Sequence, residues 1–200
     1  MPGLFVTLEG IDRSGKTTQA RLLCDALGDR AVAVREPGGT TVGERVRELL
    51  KDPSIEVDDR TEALLFAAAR AELVAAVIRP ALDDGKIVIS DRFLDSSLAY
   101  QGGARGLGVA EVERINEFAT GGLRPDVTVL LDLSPEAAAE RAGVEVDRFE
   151  QEGAELQQRV RAAYEELVVH DPDRWVRVDA ARDPDEVHRD VLAVVEGVRA

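Results

Sequence analysis

Short, nearly continuous apolar runs alternate along this chain with longer stretches in which apolar residues recur at helical spacing. The runs Leu4-Phe5-Val6-Thr7-Leu8, Ala31-Val32-Ala33-Val34, Ile87-Val88-Ile89 and Val127-Thr128-Val129-Leu130-Leu131 read as strands buried on both faces. Strands are expected at 4–8, 31–35, 87–90, 127–131 and 175–178. Helices are expected at 16–27, 42–50, 61–82, 110–119, 135–141, 154–169 and 184–198. This order predicts an α/β fold: a five-stranded parallel sheet with helices on both faces, in one domain spanning residues 1–200. In such sheets ligands bind beyond the carboxyl ends of the strands. The informative residues are therefore those that follow each strand.

After the first strand comes Gly10-Ile11-Asp12-Arg13-Ser14-Gly15-Lys16-Thr17, a complete G-x-x-x-x-G-K-[ST] phosphate-binding loop. A strand precedes it and a helix start follows. Backbone N–H groups of such a loop wrap phosphates, and the helix N-terminus favours their charge. Gly10 and Gly15 let the backbone bend and approach the ligand. Lys16 is expected to reach the β- and γ-phosphates, and Thr17 to hold Mg²⁺. Gly10 to Thr18 thus form a candidate ATP site: Gly10, Ile11, Asp12, Arg13, Ser14, Gly15, Lys16, Thr17 and Thr18.

The second strand is followed by Arg35-Glu36-Pro37-Gly38-Gly39-Thr40, the third by Asp91-Arg92-Phe93, the fourth by Asp132-Leu133-Ser134-Pro135. Turns use Gly, Pro and Asp as well, but these segments gather at one sheet edge with the phosphate loop. Asp91 ends an apolar strand and would position Mg²⁺ through water, opposite Thr17; its alternative is a turn or capping aspartate. Arg92 would clamp an acceptor phosphate with its planar fork. Phe66 and Arg70 lie four apart on one helix and share a face. Pattern alone favours Phe66 in the core and Arg70 in a surface salt bridge.

Charge sharpens this picture. The chain has 200 residues, 44% of them hydrophobic, and a formal net charge of −14 from 39 acidic and 25 basic side chains. That balance argues against general nucleic-acid binding, which needs a basic footprint. An acidic protein that binds ATP must concentrate positive charge locally. No apolar run has membrane-spanning length. Met1-Pro2-Gly3 leads straight into the first strand, and Cys24 is the one cysteine, so a cytoplasmic protein is expected. Cys24 reads as a buried structural thiol, Trp175 as core, and His170 and His188 as surface residues. Asp183-Pro184-Asp185-Glu186 reads as a helix start.

Several segments, in order, carry a family resemblance: Glu9 to Gln19, Arg35 to Thr40, Phe66 to Arg70, Asp91-Arg92-Phe93, Ala99-Tyr100-Gln101-Gly102-Gly103 and Asp147-Arg148-Phe149-Glu150. Over essentially its full length the chain resembles the thymidylate kinases, P-loop nucleoside monophosphate kinases. The phosphate loop is shared by many families; the Arg-Glu-Pro-Gly-Gly-Thr and Tyr-Gln-Gly-Gly segments are far more specific. The resemblance implies transfer of the γ-phosphoryl of ATP to dTMP with Mg²⁺, and a homodimer. It implies that Asp12 approaches the deoxyribose 3′-hydroxyl. Arg35 and Arg92 would surround the acceptor phosphate, with Gln101 tying that site to Arg92. Phe66 would stack on thymine, Arg70 bond to its O4, and Ser97 face the base edge. Tyr100 would pack under the sugar and disfavour a ribose.

The segment 141–153 resembles the family's lid, with Arg141 near adenine and Arg148 near the phosphates. Family members carry the catalytic arginine either in the phosphate loop or in the lid. Here Arg13 stands in the loop, and no basic residue lies between Arg141 and Arg148. The transition-state role is therefore assigned chiefly to Arg13, with Lys16, Arg92 and Arg148 beside it as catalytic candidates. The alternative for Arg13 is a surface arginine bridging to Asp12 or Glu9. Rival functions are a kinase for another nucleotide or nucleoside and a non-catalytic P-loop switch; an acceptor site would be superfluous in the latter.

Overall fold

A computed structural model describes residues 3–141 and 153–198 of the chain. Five parallel strands form one sheet: β1 (Leu4–Glu9), β2 (Ala31–Arg35), β3 (Ile87–Asp91), β4 (Val127–Asp132) and β5 (Trp175–Asp179), in the order β2-β3-β1-β4-β5. This is the expected α/β class. The strand alternation of two faces decides which residue meets which helix layer. Leu4, Val6 and Leu8 of β1 and Ile87 and Ile89 of β3 join one buried cluster, whereas Phe5 and Val88 join the other. Both faces of the central strands are covered, so β1, β3 and β4 are almost wholly buried, whereas the edge strands β2 and β5 are partly exposed.

Beneath the first face lie α1 (Lys16–Leu27), α8 (Gly153–His170) and α9 (Pro184–Val198). The other elements are α2 (Thr41–Lys51), α3 (Asp59–Leu73), α4 (Arg79–Asp83), α5 (Leu94–Ser97), α6 (Val109–Thr120) and α7 (Pro135–Glu140). Caps set several starts. Thr40 accepts from the Gly43 N–H at 2.9 Å, and Ser134 from the Ala137 N–H at 3.2 Å. Pro184 opens α9, and Asp183 accepts from the Asp185 N–H at 2.9 Å, as the acidic start implies. The helix expected at 61–82 runs from Asp59 to Asp83 with one wide π turn, Val74–Ile78. Pro80 just beyond it has no N–H to give to the turn behind, which accounts for the break in hydrogen-bond pattern.

One element was not legible. Residues 94–104 form α5 continued by a π turn, Leu98–Ala104. Gly102 and Gly103 look like a loop in sequence. In the fold they are contact points: a Cβ on Gly103 would stand 2.6 Å from the Ala163 Cβ, and one on Gly102 3.0 Å from the Val109 Cα. The glycines let α8 and α6 close on this turn, which carries Ser97, Tyr100 and Gln101.

Trp175 is buried, as expected, and Cys24 is partly buried against the core. His170 is exposed, but His188 is half-buried on α9, with its Nδ1 enclosed. Among the described residues no helix is long and apolar enough to cross a membrane.

Candidate active site

Strand β1 sits between β3 and β4, and the crevice beyond its carboxyl end is where chain direction splits. Register brings the strand ends together: Leu8 and Arg35 both pair with Asp91. The phosphate loop leaves β1 here. Gly10 has φ 139°, and a Cβ on it would lie 2.7 Å from the Leu131 carbonyl oxygen and 2.8 Å from Ser14 Oγ. Gly15, in the left-handed region, precedes α1, whose start carries no side-chain cap and no acidic residue in its first turn. Among the described residues no side chain caps the first N–H groups of α1, the condition for an anion site.

Lys16 is buried, and its Nζ donates to the carbonyls of Gly10 at 3.1 Å and Ile11 at 2.7 Å and to Ser14 Oγ at 3.2 Å. Burial, aided by Arg92, lowers its pKa to about 8. Thr17 Oγ1 donates to Asp91 Oδ2 at 2.5 Å. Arg13 has φ 62°, the left-handed region that a branched or long side chain seldom enters. Its carbonyl accepts from Arg141 Nη1 at 3.3 Å, and Arg141 Nη2 donates to the Ala180 carbonyl at 2.7 Å. Thr18 is exposed on α1.

A cavity of about 290 Å³ runs from this loop toward α3. Asp12, Arg13, Lys16, Thr17 and Asp91 line one end; Phe66, Arg70, Ser97 and Gln101 line the other, with Arg35, Arg92 and Tyr100 also on its wall. Arg47 and Lys51 of α2 line it as well. Among the described residues, seven cations thus face three carboxylates (Asp12, Glu36 and Asp91) in a protein of net charge −14. Positive charge is concentrated where an anion would enter.

Arg92 occupies the centre. Its own φ is 71°. Nη1 donates to the Gly10 carbonyl and to Ser96 Oγ, both at 3.0 Å; Nη2 pairs with Asp12 and donates to the Tyr100 hydroxyl at 3.2 Å. The guanidinium also lies over the Tyr100 ring, 5.1 Å from its centre. Burial would raise the Asp12 pKa, but Arg92 and then Lys16 outweigh it and hold the carboxyl below its usual range. Glu9 supports this turn from beneath. Its carboxylate accepts from the Phe93 N–H at 2.8 Å, Ser96 Oγ at 2.6 Å and the Tyr164 hydroxyl at 2.7 Å. Burial, with Asp95 nearby, raises the Glu9 pKa to about 7.

Arg70 differs from the reading by pattern alone. It is 1% exposed, not a surface residue. Nε donates to Glu36 at 2.7 Å, Nη1 to Ser97 Oγ at 3.1 Å and to Asn116, and Nη2 to the Phe93 carbonyl at 3.0 Å. An arginine so surrounded has one geometry. Phe66, one turn earlier, is half-buried at the cavity wall and not in the core. Arg35 is about half exposed and pairs with Glu44 at 3.0 Å. Gln101 lines the cavity, but its Nε2 donates to Glu62 at 2.8 Å and not toward Arg92. Burial explains this correction: Glu62, fully enclosed on α3, needs donors, and Gln101 with Arg105 supplies them. Asp12, one of the partners considered for Arg13, pairs with Arg92. Arg148 and the lid span 142–152 lie outside the described residues.

Sequence reasoning assigned no role to Glu9, Arg47, Lys51, Tyr164 or Gln157. Arg47 and Lys51 are four apart on α2, so a shared helix face was visible. Tyr164 and Gln157 gave no such signal, since their partners lie in distant segments.

The thymidylate kinase family model matches residues 8–191. The thymidylate kinase of Symbiobacterium thermophilum is 51% identical over 200 residues, covering 98% of this chain and 94% of its own. That of Desulforudis audaxviator is 51% identical over 189 residues, covering 92% and 86%. That of Deinococcus radiodurans is 46% identical over 198 residues, covering 96% of each. With its phosphate loop, its central arginine and a match across nearly its whole length, the chain belongs to the thymidylate kinase family.

Proposed function

We propose that this protein transfers the γ-phosphoryl group of ATP to the phosphate of dTMP, giving dTDP and ADP. Family membership supports the acceptor, and one observation carries the assignment of parts: a single cavity joins the phosphate loop to the Phe66–Arg70 face. The loop end takes ATP, with Gly10 to Thr18 around its phosphates and Arg141 toward its base. The far end takes dTMP. Phe66 stacks on thymine, Arg70 gives up one of its present partners to donate to O4, and Ser97 meets the base edge. Tyr100 lies under the sugar and Asp12 by its 3′-hydroxyl. Arg92 and Arg35 hold the acceptor phosphate, with Gln101 on the wall of the same site.

Phosphoryl transfer needs alignment and charge neutralisation more than a nucleophilic side chain. The acceptor phosphate oxygen is itself the nucleophile. Lys16 exchanges its bonds to the loop carbonyls for phosphate oxygens, whose negative charge favours its protonated form against the lowering by burial. Arg13, in the rigid loop, meets charge as it builds on the transferring group; Arg148 serves binding and release.

Thr17 and Asp91 offer a hydroxyl and a carboxylate 2.5 Å apart. Hard oxygen donors of this kind, few in number and beside a phosphate cradle, suit Mg²⁺, which takes the rest of its shell from water and phosphate. Bound there, the ion would neutralise charge on the β- and γ-phosphates.

The protein is read further as a single domain with a lid at about 141–153, cytoplasmic and homodimeric. A free cysteine suits a reducing compartment. Exposed Val42 and Leu49 on α2, Leu64 on α3 and Phe118 on α6 suit a subunit contact. ADP release measured over a panel of dTMP, dUMP, AMP, CMP and thymidine tests the function. dTMP is expected to be fastest; faster turnover of AMP or CMP would overturn it.

A further inference from the structure

Asp12 is held from two sides. Its Oδ1 accepts from Arg92 Nη2 and, at 3.2 Å, from the Tyr100 hydroxyl. Its other oxygen faces Gln157 of α8. Gln157 Nε2 donates to Asp12 Oδ2 at 2.9 Å, and Gln157 Oε1 accepts from the Asp12 backbone N–H at 3.1 Å. The two residues are 145 positions apart in sequence. Gln157 is half-buried and does not line the cavity.

The chemistry of this pair is specific. A primary amide offers a donor and an acceptor on one planar group, and both are needed here. A glutamate would accept from the N–H but set a second carboxylate against Asp12. An alanine would leave both Asp12 groups to water. The carboxylate could then turn about its last torsion and present both oxygens to Arg92, the bidentate geometry that arginine and carboxylate prefer. Arg92 would be drawn toward Asp12, and its guanidinium would offer less to an incoming anion.

We propose that Gln157 is a positioning residue: by occupying Asp12 Oδ2 it keeps Asp12 on Arg92 through one oxygen and leaves the guanidinium aligned for the acceptor phosphate. The inference rests on the reading of Arg92 as the acceptor clamp. It adds that the clamp is set from α8, through Asp12, by a residue that does not line the cavity.

Steady-state kinetics on the full-length enzyme test this, with KM for dTMP and ATP measured separately and Tm recorded for each variant. Gln157→Ala is expected to raise KM for dTMP about tenfold, the scale of a lost hydrogen bond to a charged group, with ATP KM within about twofold. Gln157→Glu should be as impaired at pH 8 and recover relative to wild type as the pH falls to about 5.5. Once protonated, the substituted carboxyl again provides one donor and one acceptor; Gln157→Ala should show no such recovery. On an Asp12→Ala background, Gln157→Ala should add less than about twofold. Arg92→Ala separates the two layers. If it leaves dTMP KM unchanged, the clamp reading itself fails. If it raises dTMP KM while the Gln157 variants match wild type or raise both KM values alike, or while Gln157→Glu lacks the acid recovery, the positioning role of Gln157 is wrong.

Discussion

Thr17 Oγ1 donates to Asp91 Oδ2 across 2.5 Å, joining the first turn of α1 to the last residue of β3. The two are 74 positions apart in sequence, and only the placement of β3 beside β1 brings them together. Asp91→Asn keeps the shape and removes the charge. It is expected to raise the Mg²⁺ concentration for half-maximal rate by about 10–100-fold, the usual scale for loss of a group supporting a metal site. A Mg²⁺ titration of initial rate checks it, and an unchanged midpoint would remove Asp91 from the metal site.

Lys16 is enclosed by the loop whose carbonyls it bonds. Its charge, not its stem, is what phosphates need. Lys16→Met should therefore abolish turnover while Tm changes little, because the apolar stem still fills its place. Lys16→Ala should lose turnover and also lower Tm, by the cavity it leaves. Near-normal activity in Lys16→Met would rule out this loop as the ATP site.

Arg13 should matter more for the chemical step than Arg148. Loop-held arginines that meet transition-state charge contribute roughly 10³–10⁵ in kcat. Arg13→Ala is expected to lower the single-turnover rate by about 10³-fold with a modest change in ATP affinity. Arg148→Ala should alter ATP KM or product release more. Equal or greater slowing of the chemical step in Arg148→Ala would move the catalytic role to the lid.

Tyr100 sets its hydroxyl on Asp12 and Arg92 and its ring beneath the cavity. Tyr100→Ala should narrow the ratio of kcat/KM for dTMP over its ribose analogue. The same ratio in both proteins would exclude Tyr100 from sugar discrimination. By contrast dUMP, lacking one methyl, should lose only about 1–3 kcal/mol and remain a weak acceptor.

Glu9 gives a pH signature. Its pKa rises from an ordinary carboxylate value to about 7 on folding, chiefly through burial. A raised acid binds its proton more tightly when folded, so its contribution to stability is complete below about pH 4.5 and is lost as the pH climbs through 7. The size is about 3 kcal/mol. Tm should thus fall between pH 5 and 8 with a slope that Glu9→Gln flattens, although the variant starts lower because its amide faces donors. Thermal melts of both proteins over that range decide it; parallel slopes would place the titration elsewhere.

The sequence by itself determined the strand–loop–helix at residues 4–27, the parallel sheet and the gathering of charge at its carboxyl edge. These are local facts: glycine spacing in the loop, short apolar runs in strands, and apolar stripes on helices. Tertiary structure decided the partners. Arg70 had no local mark separating a surface ion pair from a buried one. Glu36, Ser97, Asn116 and the Phe93 carbonyl, which fix it, come from other segments. Gly102 and Gly103 carry no local mark of Ala163 and Val109, which stand against them in the fold. Arg92 finds Asp12 across 80 positions, and Gln157 finds it across 145. Periodicity reports which face of an element is buried; a hydrogen bond also needs the distance and direction of a second element, and those exist only once the chain has packed.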